Sequence, residues 1–447
     1  MRDFMGEKQV PREADGAGRA GGARGLREAD GPRGERTSRE SEGGLTRRGL
    51  GLLAGAGLAG LVLPGCAYAE GPAPDARTTE SASGGSAAES APDDGPAATA
   101  LRAAYLGTYT TQPGGGTGIG LATYRPDRGA LASTGVLDGV ANPSYLALAP
   151  DRRTLYAVNE QAQGAVTAMR LGDGRPPEVL GARSTGGADP CHLSVHGRFL
   201  LSANYTGGSL AVHPRGRDGA LGEASDLVRH QGSGPDPGRQ EGPHVHQVVT
   251  DPAGRHILAV DLGTDSVYTY RLDERKGTLR EIGRTATRPG AGPRHLVFHP
   301  AGRHVYLVNE LDSTLVVCAY EPRTGMLTPG KPQPTLPRGT VPDERNYPAG
   351  VIISPDGRFV YVSNRGHDSI AVFAVQRGGA ELRLVALTPS GGSYPRHIVL
   401  DPTGRLLFAS HQKSGSVTTF HVDRRTGRLR SAGAALEFPV PVCVLPL

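Results

Sequence analysis

The chain has 447 residues and a net charge of +5, and its 66 glycines and 36 prolines imply many turns. It contains no tryptophan, which argues against propeller repeats built on a tryptophan–aspartate dipeptide. Its basic residues form no block with interleaved aromatic residues, so we expect no nucleic acid partner. Cys191, Cys318 and Cys443 are too far apart in the chain for a zinc motif, and no metal or cofactor is indicated. We expect Cys318 and Cys443 to be small buried hydrophobes in strands.

Residues 46–66 have the pattern of an export signal. Arg47 and Arg48 precede an uncharged stretch of 17 residues, as in twin-arginine signals. A membrane-spanning helix needs roughly 20 strongly apolar residues, so this stretch is too short and too weakly apolar to span. Residues 63–66 resemble a lipobox, which predicts lipidation of Cys66. We therefore expect a protein exported by the twin-arginine route, held at the outer face of the membrane as a lipoprotein, or secreted.

The chain divides into four predicted segments. Residues 1–48 are the polar, disordered and basic first part of the export signal, and residues 49–66 are its apolar segment with the lipobox. Residues 67–100 are rich in Ala, Ser, Gly and Pro, which is typical of a flexible linker. Residues 101–447 form the folded domain, which we expect to be monomeric and to touch the membrane through the anchor at Cys66 alone.

A repeat begins near residue 101 and predicts the fold. A turn of the form Pro-x-Gly-Arg recurs, and successive copies of its arginine are 45, 57, 48, 55 and 47 residues apart. These arginines are Arg153, Arg198, Arg255, Arg303, Arg358 and Arg405. A period of about 40–50 residues with short apolar runs is typical of propeller blades. A seventh unit starts near residue 103, so we predict an all-β, seven-bladed β-propeller.

Each repeat contains three readable strands and a fourth, more polar strand expected at the rim. The apolar runs are nearly continuous, as expected for strands buried on both faces between neighbouring blades. Residues 440–445 are predicted to close the ring by pairing with the N-terminal strands, which removes exposed edges.

Propeller topology brings polar residues of different repeats to one mouth of the central channel. The first strand of each blade is innermost and the second runs antiparallel to it, so the start of one lies beside the end of the other. The residues at strand starts are Tyr145, His192, His246, Arg294, His295, Arg396 and His397. Those at strand ends and nearby loops include Glu160, Tyr205, Glu310, Arg365, Arg239 and His244. Polar groups that converge in a concavity are the first candidates for a site.

These residues lie in segments that resemble the lactonase family, which includes propeller-type 6-phosphogluconolactonases and the carboxymuconate-lactonizing enzyme. The segments are residues 243–246, 292–300, 308–311 and 363–373, and the resemblance extends over residues 101–447. It implies that His246, Arg294 and Glu310 form the catalytic group and that Arg365 contacts a substrate anion. One departure is Gly350, where the family often has a glutamate.

Hydrolysis of a lactone needs a polarised carbonyl and an activated water. We expect the arginines to bind substrate anions and the oxyanion, and Glu310 or His246 to act as general base. The expected substrate-binding residues are His192, His244, His295, Arg365, Arg396 and His397. The predicted function is that of a lactone hydrolase resembling 6-phosphogluconolactonase, which opens a sugar-acid-type lactone with water and requires no cofactor.

Two alternatives stay open at this stage. A carboxymuconate-type cycloisomerase would use the same residues without consuming water. A non-catalytic surface propeller would bind a ligand with its mouth, and the missing carboxylate at Gly350 favours this alternative. Against it, the chain retains Arg294 and Glu310 in one predicted blade and Arg365 in another, which favours the enzyme.

Overall fold

The computed structural model describes residues 100–172 and 175–447, in which nearly all regular structure is β-strand. Cys66, the export signal and most of the predicted linker lie outside the described residues. The strands of the described residues, in chain order, are β1 (Arg102–Thr108), β2 (Gly118–Tyr124), β3 (Leu131–Asp138), β4 (Leu146–Leu148), β5 (Thr154–Asn159), β6 (Ala165–Gly172), β7 (Arg175–Ser184), β8 (Pro190–His196), β9 (Phe199–Asn204), β10 (Ser209–Pro214), β11 (Asp226–Arg229), β12 (Val245–Thr250), β13 (Ile257–Asp261), β14 (Ser266–Asp273), β15 (Thr278–Ala286), β16 (Pro293–Phe298), β17 (His304–Asn309), β18 (Thr314–Glu321), β19 (Met326–Pro329), β20 (Gln333–Pro334), β21 (Tyr347–Ile353), β22 (Phe359–Arg365), β23 (Ser369–Gln376), β24 (Glu381–Pro389), β25 (Pro395–Leu400), β26 (Leu406–His411), β27 (Ser416–Val422), β28 (Leu429–Ser431), β29 (Leu436–Glu437) and β30 (Pro441–Pro446). A 3-10 turn, Arg377–Gly379, connects β23 to β24.

The strands form seven antiparallel sheets, which are the blades of a propeller. Blade 1 consists of β30, β1, β2 and β3 from the inside outward, and blades 2, 3 and 4 are β4–β7, β8–β11 and β12–β15. Blades 5, 6 and 7 are β16–β19, β21–β24 and β25–β28, with β20 and β29 as short additions to blades 5 and 7. The innermost strand of each blade contacts that of the next around the whole ring. The predicted seven-bladed propeller is therefore confirmed.

The C-terminal strand closes the ring, as the sequence predicted. β30 pairs antiparallel with β1, with Val444 opposite Leu106 and Leu445 opposite Tyr105. The last strand of the chain thereby becomes the innermost strand of the first blade. Its hydrogen bonds satisfy the inner edge of β1, which an open array would leave exposed.

The hydrophobic core is divided into clusters that lie between adjacent blades. Tyr124 of blade 1 packs edge-on against Phe408 of blade 7, with ring centroids 5.1 Å apart. Tyr361 between blades 6 and 7 and Phe373 between blades 5 and 6 are completely buried. Every residue of β22 is buried, whereas most of β3 at the rim is exposed. The sequence pattern of apolar inner strands and a polar outer strand thus follows from blade-on-blade packing.

The recurring turn lies at the end of each blade away from the predicted mouth, and in blades 4, 6 and 7 an acidic or hydroxyl side chain stabilises it. Asp401 Oδ1 accepts hydrogen bonds from the backbone N–H groups of Arg405 and Leu406, each at 2.9 Å. Gly404 has φ +68°, a left-handed conformation that glycine adopts without steric cost. The repeated Pro-x-Gly-Arg motif is therefore a structural turn, remote from the polar mouth.

The three described cysteines, Cys191, Cys318 and Cys443, are buried and not disulfide-bonded. This confirms the prediction for Cys318 and Cys443, which lie in β18 and β30. No helix within residues 100–172 and 175–447 is long and apolar enough to cross a membrane.

Candidate active site

A β-bulge near the start of the inner strands directs a side chain into the channel. In blade 3, Pro190 lies opposite Asn204 and His192 opposite Ala203, so Cys191 has no cross-strand counterpart. The same shift of register occurs in blades 4, 5, 7 and 1, where the extra residues are His246, Arg294, Arg396 and Val442. Bulges re-aim side chains, and they are frequent beside active sites. The repeated bulge thus explains why the inner-strand side chains converge.

The ends of the strands next to the innermost ones supply a second set of side chains. These six residues line one concavity at the mouth of the channel: Tyr109, Glu160, Tyr205, Glu310, Arg365 and Gln412. Each either directly follows the second strand of its blade or, for Arg365, ends it. The predicted convergence of strand starts and strand ends at one mouth is what the structure shows.

The concavity has an outer and an inner chamber. The outer chamber encloses about 560 Å³, its open mouth included, and Gln112, Cys191, Arg239, His246 and Arg396 complete its lining. The inner chamber is much smaller and is lined in part by Ser144, Arg294, His295 and His397. Glu160, Cys191, His246 and Arg396 line both chambers and therefore lie where the two meet.

Three guanidinium groups converge on the carboxylate of Glu310. Arg239 contacts Oε1 at 2.6 Å, and Arg365 and Arg294 contact Oε2 at 2.6 and 3.1 Å. Burial alone would raise the pKa of Glu310, but the three guanidiniums outweigh it and hold this pKa well below its usual range. Burial and the charges of Arg365 and Arg396 lower the pKa of Arg294 to about 9. Glu310 is therefore a permanent anion that fixes three cations, and it is poorly suited to accept a proton.

Backbone carbonyls fix the same arginines in place. Arg365 Nε donates to the carbonyl of Tyr347 at 3.0 Å, and Arg294 donates to the carbonyl of Ala349 at 2.8 Å. The guanidinium of Arg365 also lies over the Tyr394 ring, 5.4 Å from its centroid. Preorganised donors of this kind stabilise developing negative charge without having to reorient.

A second carboxylate, Glu160, has a different environment. Its Oε1 accepts a hydrogen bond from the Tyr109 hydroxyl at 2.8 Å, and its Oε2 accepts one from Ser144. The guanidinium of Arg396 is 3.9 Å from Oε1. Burial raises the pKa of Glu160, and Arg396, Ser144 and Tyr109 offset part of this effect. The site therefore holds two carboxylates whose pKa values are shifted in opposite directions.

Four predicted histidines lie close together. His246, His295 and His397 line the inner chamber, whereas His192 lines neither chamber and packs against Tyr145 and His295. His246 Nδ1 is 3.2 Å from His295 Nε2, and the His192 ring lies 4.1 Å from the Tyr145 ring, centroid to centroid. Burial, with nearby His397 and Arg294, lowers the pKa of His192 to about 3, and burial with Arg294 and Arg396 lowers that of His397 to about 4. Burial and neighbouring arginines also hold the pKa values of His246 and His295 well below the usual range. All four rings are therefore neutral at neutral pH.

His244 is not among the residues that line either chamber. Its ring stacks on Tyr205 with centroids 4.6 Å apart, and its Nδ1 lies 3.1 Å from the Tyr205 carbonyl oxygen. This places His244 behind a residue of the lining, as a support for Tyr205. The position of His244 in a loop near the mouth suggested contact with the substrate. A loop position does not give the direction of the side chain, which packs against Tyr205.

Gly350 does not line the chambers either. A Cβ atom at this position would lie 2.9 Å from Ile398 Cγ1 and 3.2 Å from the Ile398 backbone nitrogen, so a side chain does not fit without a shift. The two carboxylates at the mouth come instead from Glu160 and Glu310. The mouth therefore contains two carboxylates although Gly350 supplies none.

Sequence reasoning placed Glu160 and Arg239 near the mouth but assigned neither of them a role, and it did not include Tyr109. The available signal was the repeat itself, because Glu160 occupies in blade 2 the position of Glu310 in blade 5. Arg239 carried no such signal, since it lies in the irregular loop before β12. Within residues 100–172 and 175–447, no group of three or more His, Cys, Asp or Glu side chains could hold a metal ion.

The fold and this mouth define a closed propeller with a compact polar site, and the comparisons with known proteins give its family. The family described as lactonase, seven-bladed β-propeller, matches residues 103–446. A 6-phosphogluconolactonase of Bacillus subtilis is 36% identical over 345 residues, which cover 76% of this chain and 97% of that protein. Another, from Formosa agariphila, is 29% identical over 299 residues, covering 64% of this chain and 83% of that protein.

Among solved structures, a periplasmic gluconolactonase of Pseudomonas aeruginosa superposes with a TM-score of 0.73 at 32% identity, covering 78% of this chain and 99% of that one. The chain therefore belongs to the lactonase family of seven-bladed β-propellers. The family resemblance and the class of lactone hydrolase, both predicted from the sequence, are confirmed.

Proposed function

We propose that this protein hydrolyses the lactone of an unphosphorylated or carboxylated sugar acid in the outer chamber. The observation that carries the proposal is the convergence of Arg239, Arg294 and Arg365 on the single carboxylate of Glu310. Three guanidinium groups around one carboxylate make this part of the mouth cationic, which suits a substrate carboxylate or the oxyanion. The relatives named as lactonases support the reaction class.

The geometry suggests a division of roles among the candidate residues. Arg365 and Arg294 hold the anionic groups of substrate and transition state, and Glu310 keeps both guanidiniums in position. Arg396 and His246 face the substrate from the junction of the two chambers. His295 and His397 contribute neutral rings to the wall of the inner chamber. His192 packs against Tyr145 and His295, and His244 orients Tyr205.

The expected location favours a substrate without phosphate. The predicted twin-arginine signal and the lipid anchor at Cys66 would place a monomeric propeller outside the cytoplasmic membrane, whereas phosphorylated sugar lactones belong to cytosolic metabolism. The structurally similar gluconolactonase of Pseudomonas aeruginosa is described as periplasmic, which supports export. If Cys66 is the lipid anchor, the Cys66→Ala variant should be found less in the membrane fraction than wild type.

The test is a proton-release assay of the purified protein on lactones that carry a phosphate, a carboxylate or neither. We expect turnover above the spontaneous rate, fastest without phosphate. Arg365→Gln should lower kcat/KM about 100-fold, since it removes one charge-assisted anion contact and unbalances the cluster. Arg383→Gln is the matched control, because Arg383 is exposed on the outer strand of the same blade, and it should behave as wild type.

Two results would contradict the proposal. Proton release no faster than the spontaneous rate on every lactone would exclude the hydrolase with these substrates. Conversion of a lactone to an unsaturated acid without uptake of water would identify a cycloisomerase instead.

A further inference from the structure

Glu160 occupies the junction between the outer chamber and the inner chamber. It lines both, together with Arg396 and His246. The inner chamber has room for about one water molecule and offers polar atoms from Ser144, Arg294 and His295, as an ordered water requires. A small molecule held in the outer chamber would therefore have a water-sized polar space directly behind it, with a carboxylate at the opening.

We infer that the inner chamber holds the hydrolytic water and that Glu160 is the general base that deprotonates it. This inference rests on the proposed function, and it adds the residue that activates water. The Tyr109 and Ser144 hydroxyls each bind a different oxygen of Glu160, so the carboxylate is fixed in one orientation toward the junction. Each oxygen keeps a second lone pair with which it can accept a proton.

The step balances with the groups that are present. The water oxygen forms a bond to the lactone carbonyl carbon while Glu160 takes one of the water protons. The tetrahedral intermediate then collapses, the bond between that carbon and the ring oxygen breaks, and the leaving alkoxide takes the proton back from Glu160. The product is a hydroxy acid, which releases a proton to solvent, and Glu160 returns to its carboxylate form. Arg294 and Arg396 line the inner chamber and can stabilise the oxyanion.

Glu310 is less suited to this role than Glu160. Both of its oxygens are in ion pairs of 3.1 Å or less with Arg239, Arg294 and Arg365. The guanidinium groups therefore occupy the lone pairs that would accept a proton. His246 is also less suited, because its Nδ1 already faces His295 Nε2 at 3.2 Å and Cys191 Sγ at 3.7 Å. Glu160, in contrast, has one guanidinium at 3.9 Å and two neutral donors.

The groups that face Glu160 determine the pH dependence to be expected. They are Tyr109 of blade 1, Ser144 before blade 2, Asp189 and Cys191 at blade 3, His246 of blade 4 and Arg396 of blade 7. Burial raises the pKa of Glu160, Asp189 acts in the same direction, and Arg396, Ser144 and Tyr109 act against it. Turnover requires the carboxylate form, so kcat should fall on the acid side as Glu160 becomes protonated.

The deciding experiment compares Glu160→Gln with wild type on a lactone that the wild type opens. We expect kcat to fall about 10²–10⁴-fold, as for loss of a general base, with KM changed less than about threefold and the acid limb of the pH profile lost. Formate should restore part of the activity of Glu160→Ala, because it can occupy the vacated carboxylate position. Glu178→Gln is the matched control on the outer strand of the same blade, and it should keep the wild-type profile.

A second measurement is independent of substrate. Titration of ¹³C-labelled glutamate carboxyls by NMR should show one group with a raised pKa that disappears in Glu160→Gln. A normal or lowered pKa for Glu160, or a Glu160→Gln variant with wild-type kcat and acid limb, would overturn the inference. A wild type that opens no lactone would refute the proposed function instead, and the titration would still decide whether Glu160 has the properties of a base.

Discussion

Two turns of the propeller begin with the same two residues, but the pKa values of their glutamates are shifted in opposite directions. The blade 2 turn contains Asn159 and Glu160, and the blade 5 turn contains Asn309 and Glu310; each asparagine ends the second strand of its blade. Both asparagines donate a side-chain hydrogen bond of 2.9 Å, Asn159 to the Ala141 carbonyl in the loop before β4 and Asn309 to the Thr314 hydroxyl across its own turn. The backbone thus places the two glutamates equivalently at the mouth.

The difference comes from the neighbours, which the repeat does not specify. Beside Glu310, the bulge residue of its own blade and the strand-end residue of the next are both arginines, Arg294 and Arg365. At the equivalent positions beside Glu160, β4 pairs with β5 without a bulge, and the strand-end residue of the next blade is Tyr205. One glutamate therefore has three guanidinium groups within 3.1 Å, whereas the other has two hydroxyl donors and one guanidinium at 3.9 Å. Pairs of carboxylates with pKa values shifted apart are a recurring basis for dividing acid–base roles.

The largest effect is expected when the blade 5 turn loses its charge. Glu310→Gln leaves three buried guanidiniums without their counter-ion, and breaking a buried ion pair in this way costs about 3–5 kcal/mol of unfolding free energy. The arginines should also separate, so kcat/KM should fall about 10²-fold or more. Denaturant unfolding and steady-state kinetics at pH 7 measure the two effects.

Glu321→Gln is the control for this variant, because Glu321 is an exposed glutamate on β18 of the same blade. It should change neither stability nor turnover. If Glu310→Gln unfolded as wild type does, Glu310 would not be the counter-ion that organises the cluster.

A smaller effect is expected when the blade 2 turn loses its nearest cation. Arg396 lowers the pKa of Glu160, so Arg396→Gln should raise that pKa further and move the acid limb of the kcat profile to higher pH. At neutral pH we expect kcat to fall about tenfold, within the range that general-base catalysis contributes. Arg430→Gln, an exposed position on β28 of the same blade, should leave the profile unchanged. An acid limb that stays in place, or moves to lower pH, would contradict the assignment of that limb to Glu160.

The sequence predicted the parts of this comparison that depend on the repeat. Spacing and apolar runs were sufficient for the seven blades, the closing strand and the mouth at which Arg294, Glu310 and Arg365 meet. These features follow from a backbone pattern that recurs in every blade, so one chain contains several copies of the same signal.

The sequence could not predict which way individual side chains point or which charges meet. His244 was expected at the substrate because its loop reaches the mouth, but its ring packs behind Tyr205. Arg239 reaches Glu310 from 71 residues away in the chain, through a loop without periodicity. The contrast between Glu160 and Glu310 depends on such long-range neighbours, and so it appears only in three dimensions.

The smallest effect concerns stability. Replacing Glu160 and replacing Glu310 should change the free energy of unfolding in opposite directions. A glutamate whose folded pKa is raised contributes stability below its unfolded pKa of about 4.3, and this contribution is lost as the pH rises through the folded value. The ionised Glu160 should therefore destabilise the fold at pH 7, and Glu160→Gln should increase the free energy of unfolding by about 1 kcal/mol. Near pH 4 the gain should disappear, because the folded wild type is then protonated at Glu160.

Glu310 has the opposite linkage, since its lowered pKa contributes stability above the unfolded pKa that is lost as the pH falls through the folded value. Urea unfolding of the two Gln variants at pH 7.5, beside Glu178→Gln, measures both signs. Extending the Glu160→Gln series down to pH 4 tests whether its gain disappears. A Glu160→Gln variant that is less stable than wild type at pH 7 would mean that Arg396, Tyr109 and Ser144 outweigh burial. Glu160 would then be a second structural anion like Glu310, and the base for water would have to come from His246.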